Sequence, residues 1–152
     1  MAVVTSKKAL DLFSGTGSVS KALEEMCYEV VSVDRDPAAK ATRRVDVMEW
    51  NYREFEPGHF DVIFASPPCD QYSRARTTVP RDLESADKVV QRTLEIVRYP
   101  RPRKWFVENP RNGLLRDRPF MQGIPYVDVD YCRFVDWWYQ KPTRIWGDDQ
   151  VR

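Results

Sequence analysis

Short apolar runs separated by polar turns make up most of this chain. Residues 9–13, 29–34, 60–64 and 104–110 are rich in β-branched and other apolar side chains, which is typical of strands buried on both faces of a parallel sheet. Residues 84–98 instead repeat apolar side chains at helical spacing along one face. The pattern therefore predicts buried strands separated by helices.

Weaker patterns complete the order of elements. Apolar residues at helical spacing follow the first strand at 19–26, residues 38–41 favour a short helix, and residues 44–47 favour a small edge strand. Residues 126–131 alternate strictly and are followed by a final short strand at 140–146, which suits an antiparallel pair. This order predicts an α/β fold with a doubly wound, mostly parallel sheet, an antiparallel C-terminal strand pair and a ligand site at the strand ends.

Length and composition narrow the possible functions. The 152 residues, 42% of them hydrophobic, fit one domain covering 1–152. No run is long enough to span a membrane, and the N-terminus lacks the apolar segment of a signal peptide. Cys27, Cys69 and Cys132 are too widely spaced for a disulfide framework or a zinc site. We therefore expect a cytoplasmic or nuclear protein that is not secreted, with no membrane partner and no metal.

A glycine-containing turn joins the first strand to the first helix. Gly15 and Gly17 would let the backbone pass close to a ligand, whose polar groups would meet the free amides of the helix N-terminus. Ser20 stands where the dinucleotide fingerprint has its third glycine. A nicotinamide dehydrogenase is therefore the weakest interpretation.

Three aspartates follow the next two predicted strands. Asp34 ends the second strand, where a carboxylate commonly accepts hydrogen bonds from ribose hydroxyls. Asp36 precedes Pro37 and suits a helix N-cap. Asp46 suits either a bond to an adenine amine or an ordinary turn.

Cys69 lies just past a buried strand that must end at Pro67, because proline cannot donate to a strand ladder. Taken alone, it could be a buried small hydrophobe or a nucleophile at the ligand-binding edge. Residues 72–81 carry three arginines and no acid, which suits a mobile phosphate-binding loop or ordinary mixed surface charge. The strand at 104–110 also ends in polar groups and a proline. With a net charge of +1, nucleic-acid binding would depend on such local clusters.

Four segments, in order along the chain, resemble motifs of the DNA cytosine-5 methyltransferase family. DLFSGTGS (11–18) resembles its cofactor loop, SPPCDQYS (66–73) its nucleophile motif, VENP (107–110) its glutamate motif, and QKPTR (140–144) its later Q-x-R-x-R element. The likeness is closest to small phage- and bacterial-type members and covers most of the chain. It implies S-adenosylmethionine as the cofactor and a flipped cytosine in DNA as the methyl acceptor.

The resemblance assigns roles residue by residue. Cys69 would add to carbon 6 of cytosine as a thiolate, because carbon 5 alone is too weak a nucleophile to accept a methyl group. Glu108 would hold a proton for ring nitrogen 3, and Arg144 would hold the pyrimidine carbonyl oxygen or a phosphate. The implied cofactor residues are Phe13, Ser14, Gly15, Thr16, Gly17, Ser18, Asp34, Arg35, Asp46, Val47 and Pro67. The implied DNA-binding residues are Ser73, Arg74, Arg76, Arg81, Asn109 and Arg111.

The chain also departs from the family pattern. Pro142 replaces the first arginine of the Q-x-R-x-R element, and no counterpart of the large target-recognition region is present in the sequence. A second protein or domain is a candidate to supply that recognition. Alternatives are an exocyclic-amine methyltransferase, a non-catalytic nucleic-acid-binding subunit, and RNA in place of DNA.

Overall fold

The computed structural model describes residues 5–99, 101–130, 142–149 and 151. The strands are β1 (Lys7–Leu12), β2 (Tyr28–Asp34), β3 (Arg43–Arg44), β4 (Val62–Ala65), β5 (Lys104–Pro110), β6 (Tyr126–Asp130) and β7 (Pro142–Gly147). The helices in these ranges are α1 (Ser18–Glu25) and α2 (Leu83–Arg98), with 3-10 turns at Tyr52–Glu54, Asp70–Tyr72, Leu114–Asp117 and Pro119–Met121. Neither α-helix is long and apolar enough to cross a membrane.

The strands form one seven-stranded sheet in the order β3-β2-β1-β4-β5-β7-β6. Strands β1 to β5 pair in parallel, whereas β7 lies antiparallel between β5 and β6. From β1 the chain builds outward to β2 and β3, then returns to add β4 and β5 on the other side. This reversal between β1 and β4 opens a crevice at the carboxyl ends of the strands, where ligands bind in such sheets.

β1 and β4 end level with each other, next to Val107 of β5, which continues to Pro110. Leu12 of β1 pairs with Ala65 of β4, and Ala65 pairs with Val107 of β5. All three side chains are fully buried. The residues that follow them emerge side by side at one edge of the sheet.

Helix α2 covers the sheet with one apolar face. Its buried residues are Val90, Thr93, Leu94, Ile96 and Val97. The helix begins after Asp82, whose side chain accepts a hydrogen bond from Ser85 N at 3.1 Å, as an N-cap does. The predicted helix at 84–98 is confirmed with one residue added at its start.

The fold class is confirmed, including the antiparallel pair of β6 and β7, but two local predictions are wrong. Residues 38–41 form no helix, because Asp36 closes a turn by accepting Ala38 N on its carboxylate and Ala39 N on its carbonyl. The edge strand at 44–47 is reduced to Arg43–Arg44, because Asp46 starts a second turn. The N-terminal part of the predicted strand 140–146, together with Tyr131 and Cys132, lies outside the described residues.

Candidate active site

The glycine loop (residues 13–18) is held against the end of β2. The amides of Phe13 and Ser14 both donate to Val33 O, at 2.9 and 3.2 Å. Gly17, at φ 82°, is the N-cap of α1 and makes no side-chain cap. A left-handed conformation there favours glycine, and the first amides of α1 keep no capping side chain in front of them.

Asp34 connects this loop to the second strand. Its Oδ2 accepts Gly15 N at 2.8 Å, and its Oδ1 accepts Asp36 N at 2.8 Å. Each carboxylate oxygen has a further lone pair, so Asp34 can still accept hydroxyl donors. The predicted ribose-binding carboxylate is therefore oriented by the loop that would hold the rest of the ligand.

A cavity of 190 Å³, the β1–β4 cavity, opens between these elements. It is lined by Phe13, Val33, Asp34, Arg35, Val45, Asp46, Val47, Ser66, Pro68 and Val89. Its wall is mainly apolar, with two carboxylates, which fits a nucleoside whose base needs an apolar slot and whose polar groups need acceptors.

The structure divides the predicted cofactor residues into three sets. Phe13, Asp34, Arg35, Asp46 and Val47 line the β1–β4 cavity. Ser14, Gly15, Thr16 and Gly17 line a separate 210 Å³ cavity on the glycine loop. Ser18 and Pro67 line neither cavity, although Pro67 is buried and its neighbours Ser66 and Pro68 line the β1–β4 cavity.

Asp46 is a turn residue whose carboxylate also lines the β1–β4 cavity, and its bond to an adenine amine stays a prediction. Its Oδ1 accepts Met48 N at 2.9 Å, which makes it a turn residue. Its Oδ2 lies 3.4 Å from Arg35 Nη1, and both side chains line the β1–β4 cavity. The turn therefore presents the carboxylate to the cavity.

Ser20 explains the incomplete glycine fingerprint. Its hydroxyl donates to Asp11 Oδ2 at 2.6 Å, which ties α1 to β1. A glycine at this position would lose that bond. Asp11 is 2% exposed, and burial raises the pKa of its carboxyl group, with the Ser20 hydrogen bonds acting in the opposite direction.

Cys69 is exposed, so its interpretation as a buried small hydrophobe is wrong. It precedes the turn Asp70–Tyr72, and its carbonyl accepts Tyr72 N at 3.0 Å. Cys69 lines a cavity of 410 Å³, the Cys69 cavity, with Ser73, Arg74, Ala75, Asn109, Pro110, Asn112, Gly113 and Pro142. The thiol therefore lies in a space that side chains of β5 and β7 also reach.

Glu108 lies beside the end of β4, one residue beyond the Ala65–Val107 pair. Ser66 Oγ donates to Glu108 Oε2 at 3.0 Å, and the carboxylate is half-buried. Parallel register thus places Glu108 next to the segment that carries Cys69, as the sequence predicted.

Asn109 fixes the chain immediately before Cys69. Its Nδ2 donates to Pro67 O at 3.0 Å, and the residue is 1% exposed. Among the described residues its Oδ1 has no hydrogen-bond partner, although the residue lines the Cys69 cavity. A buried acceptor without a partner is costly unless a ligand supplies a donor.

The arginines after Cys69 play different structural parts. Arg81 donates to Gln71 O, Ser73 O and Arg76 O, so its guanidinium holds three backbone carbonyls of the loop together. Arg74 donates to Asn112 O at 2.7 Å and lines the Cys69 cavity. Their DNA contacts, like those of Ser73, Arg76, Asn109 and Arg111, stay predictions.

Arg144 is held in place by β6. It donates two hydrogen bonds to Asp128, at 2.8 and 3.0 Å, and its guanidinium carbon lies 3.7 Å from the centre of the Tyr126 ring. The hydrogen bonding to Asp128 is the main reason why the pKa of Arg144 is raised. The predicted substrate role of Arg144 would have to use the donors that Asp128 leaves free.

Comparisons with known proteins agree with this geometry. The family model described as C-5 cytosine-specific DNA methylase matches residues 7–119. The chain belongs to this family. It is 39% identical over 155 residues to a protein of Frog virus 3 named probable DNA (cytosine-5)-methyltransferase, covering 93% of this chain and 70% of the relative.

Solved methyltransferases share the family fold at low identity. The Entamoeba histolytica methyltransferase EhMeth superposes with a TM-score of 0.67 at 14% identity, covering 93% of this chain and 53% of that one. A mutant of Spodoptera frugiperda DNMT2 gives 0.64 at 18% identity, covering 96% and 51%. The methylase chain described here thus spans about half the length of these two structures.

Membership in the C-5 cytosine-specific DNA methylase family confirms the family resemblance and the expected cofactor class, S-adenosylmethionine. The β1–β4 cavity fits that group, since it offers an apolar slot and two carboxylates beside free helix-end amides. When bound, S-adenosylmethionine supplies an electrophilic methyl group.

Sequence reasoning missed several residues of the site. Ser66 belongs to the SPPCDQYS segment, but the sequence does not predict its hydrogen bond to Glu108. Val89 of α2 and Pro68 line the β1–β4 cavity. No pattern in the sequence singles out Val89, because its helical spacing is equally typical of an ordinary core position.

Proposed function

We propose that this chain transfers a methyl group from S-adenosylmethionine to carbon 5 of a cytosine in DNA, with a transient covalent bond between Cys69 and carbon 6. The observation that carries the proposal is the placement of an exposed cysteine and a serine-bonded glutamate at the ends of two neighbouring parallel strands. Family membership supports the same reaction class.

The Cys69 sulfur is the group that makes carbon 5 reactive. Its thiolate adds to carbon 6, which forms the sulfur–carbon bond and moves the electrons of the 5,6 double bond toward carbon 5 and ring nitrogen 3. Carbon 5 then takes the methyl group, and the bond between that methyl carbon and its sulfur breaks, with the electron pair leaving on S-adenosylhomocysteine. Loss of the carbon 5 proton to water and departure of the thiolate restore the double bond and release the free cysteine.

Glu108 stabilises the electron-rich ring in this scheme. A protonated carboxyl group can donate to ring nitrogen 3 as charge builds there. Ser66 donates to Oε2, so Oε1 is the oxygen left to face the base. Val107, the residue before Glu108 in β5, is fully buried, so this carboxyl group lies at the edge of the hydrophobic core.

Asn109 and Arg74 would hold the extruded cytosine. The unpartnered Asn109 Oδ1 offers an acceptor on the Cys69 cavity wall, and Arg74 offers a cation. The 410 Å³ of this cavity is ample for one base, which must leave the duplex at a cost of a few kcal/mol.

Residues 1–152 would act as one catalytic domain. Because the chain spans about half the length of the solved methyltransferases it matches, we further infer that a second protein or domain supplies target recognition. DNA is the proposed partner, and RNA is the alternative that substrate comparison would reveal.

A covalent trap tests the mechanism. 5-Fluorocytosine carries fluorine at carbon 5 and has no proton there to lose, so the wild-type chain with S-adenosylmethionine should form an adduct with DNA containing it that survives denaturing electrophoresis. Cys69→Ser should abolish the adduct, whereas Cys27→Ser, which changes a second exposed cysteine of the described residues, should not. Mass spectrometry of the product separates the alternatives: N4-methylcytosine without an adduct would contradict the cysteine mechanism.

Calorimetry with S-adenosylmethionine addresses the non-catalytic alternative. The wild-type chain should bind this cofactor, and Asp34→Ala should weaken binding because Asp34 orients the glycine loop. Absence of binding to the wild-type chain would favour a subunit that needs a partner or does no chemistry.

A further inference from the structure

A buried network begins three residues after Cys69. Tyr72 is fully buried, and its hydroxyl donates to Asp87 Oδ1 on α2 at 2.8 Å. Arg118 donates to the same carboxylate through Nη2 at 2.6 Å and through Nε at 3.0 Å. The three side chains therefore join the nucleophile segment, helix α2 and the segment that follows Glu108.

Tyr72 is connected to Cys69 by a single hydrogen-bonded turn. Tyr72 N donates to Cys69 O at 3.0 Å, so a shift of Tyr72 moves the Cys69 backbone. On the other side of the cysteine, Pro67 O is held by Asn109 Nδ2. The exposed thiol thus lies between two buried attachments.

Packing restricts Tyr72 from a third direction. A Cβ on Gly113 would lie 3.4 Å from Tyr72 O and 3.3 Å from Pro110 O, which is a tight contact, so the two segments approach each other closely at this glycine. This contact links the Tyr72 backbone to the chain just beyond Glu108. The positions of the two proposed reacting groups are therefore coupled through buried atoms.

The charge arrangement keeps Tyr72 a hydrogen-bond donor. Burial, followed by the Asp87 hydrogen bond, raises the pKa of the Tyr72 hydroxyl, so it stays protonated at physiological pH. Asp87, 14% exposed, is balanced by Arg118, 31% exposed. A bidentate arginine on a partly buried carboxylate fixes the orientation of both side chains, because two parallel hydrogen bonds must form together.

We propose that the Tyr72–Asp87–Arg118 network is a positioning device that holds the Cys69 thiol in attacking geometry. This inference rests on the proposed function, in which Cys69 is the nucleophile. None of the three side chains lines the β1–β4 cavity or the Cys69 cavity, and the effect of the network passes through the Cys69–Tyr72 turn. A misplacement of about 1 Å at a nucleophile can cost roughly 100-fold in rate.

The chain offers a matched control. Tyr52 is also buried, and its hydroxyl donates at 3.0 Å to Glu95 on the same helix, far along the chain from the Cys69 turn. Tyr72→Phe and Tyr52→Phe therefore remove the same kind of bond from the same helix. Their comparison separates loss of stability from loss of position.

Single-turnover methyl transfer to DNA is the decisive measurement. We expect Tyr72→Phe to lower the rate constant about 10-fold, with the KM for DNA and the Kd for S-adenosylmethionine within about twofold of wild type. Tyr52→Phe should stay within about twofold in rate, and the melting temperatures of both variants are measured beside the rates because Glu95 is 52% exposed and Asp87 only 14%. Alkylation of Cys69 by iodoacetamide, followed by peptide mass spectrometry, should persist in Tyr72→Phe and show that the thiol itself is intact.

The outcomes separate the two proposals. If wild-type protein forms no 5-fluorocytosine adduct, the proposed function fails. If wild type forms the adduct and Tyr72→Phe reacts as fast as wild type, or no more slowly than Tyr52→Phe, the positioning role is refuted. If Tyr72→Phe does not fold, Asp87→Asn is tested in its place, with Glu95→Gln as its control and the same criterion for the rate constant of methyl transfer. Arg118→Lys keeps a cation beside Asp87 and should therefore react faster than Arg118→Met.

Discussion

The hydroxyl of Ser66 donates to Glu108 Oε2 across 3.0 Å, and this bond joins the ends of β4 and β5. It fixes one carboxylate oxygen of Glu108. Ser66 also lines the β1–β4 cavity, so one side chain touches both halves of the candidate site.

Ser66→Ala should therefore reduce catalysis by roughly 10-fold, the effect of losing about 1.4 kcal/mol of hydrogen bonding to a charged or protonated carboxyl group. Ser66→Thr keeps the hydroxyl and should retain most of the activity. Steady-state kinetics with saturating cofactor measures the difference. Equal losses in both variants would mean that space in the cavity, rather than the bond to Glu108, is what matters.

Asp34→Asn should weaken S-adenosylmethionine binding by about 10-fold, because one carboxylate orients Gly15 and still offers lone pairs to the ligand. Asp36→Asn is the matched control. Asp36 accepts Ala38 N in a neighbouring turn and does not line the β1–β4 cavity. Isothermal titration calorimetry should show a clear loss only for Asp34→Asn, and similar affinities for the two variants would contradict the assignment.

Asp11 should make stability depend on pH. Burial raises its pKa in the folded chain above the ordinary value of an aspartate, so the folded state binds more protons than the unfolded state in the range above that value. Stability from this group is then highest at low pH and declines as pH rises through the folded pKa. Asn at this position does not titrate.

The free energy of unfolding of Asp11→Asn, relative to wild type, should accordingly increase between pH 4 and pH 7. Urea denaturation at both pH values measures it. Ser20→Ala should steepen the wild-type decline, since the Ser20 hydrogen bonds lower the Asp11 pKa. A difference that is constant with pH would show that Asp11 is better solvated than its burial indicates.

Gly147→Ala should destabilise the fold by roughly 1–3 kcal/mol through overpacking. A Cβ there would lie 2.8 Å from Trp105 O and 2.9 Å from the Val151 side chain, and the carbonyl belongs to a core strand. Gly113→Ala meets nothing closer than 3.3 Å and should cost less. Chemical denaturation ranks the two, and the reverse order would contradict the packing described.

The strands and α2 could be predicted because apolar spacing alone determines which faces are buried. Residues 104–110 form β5 with the predicted bounds, and α2 begins one residue earlier than expected. The turns near 38–41 and 44–47 could not be predicted in the same way. There, Asp36 and Asp46 bond nearby backbone amides and override weak helix and strand preferences.

The site was predictable at the strand ends and less so between elements. Cys69, Glu108 and Asp34 each lie at or just past the carboxyl end of a recognisable strand, so topology alone brings them to one edge. The partners of Tyr72 and Arg144 come from other parts of the chain, and Asp87 and Asp128 look like ordinary surface acids in the sequence. Only tertiary packing pairs them.

Because β7 runs antiparallel to β5, it begins at the edge of the sheet where the parallel strands end. Asp130 ends β6 level with Pro142, which begins β7, and Thr143 lies opposite Pro110 at the end of β5. Both ends of the β6–β7 connection therefore meet the sheet on the Cys69 edge. Because the ladder of β7 against β5 starts at Thr143, a change of chain length between Asp130 and Pro142 adds or removes residues at this edge and leaves the paired strands as they are.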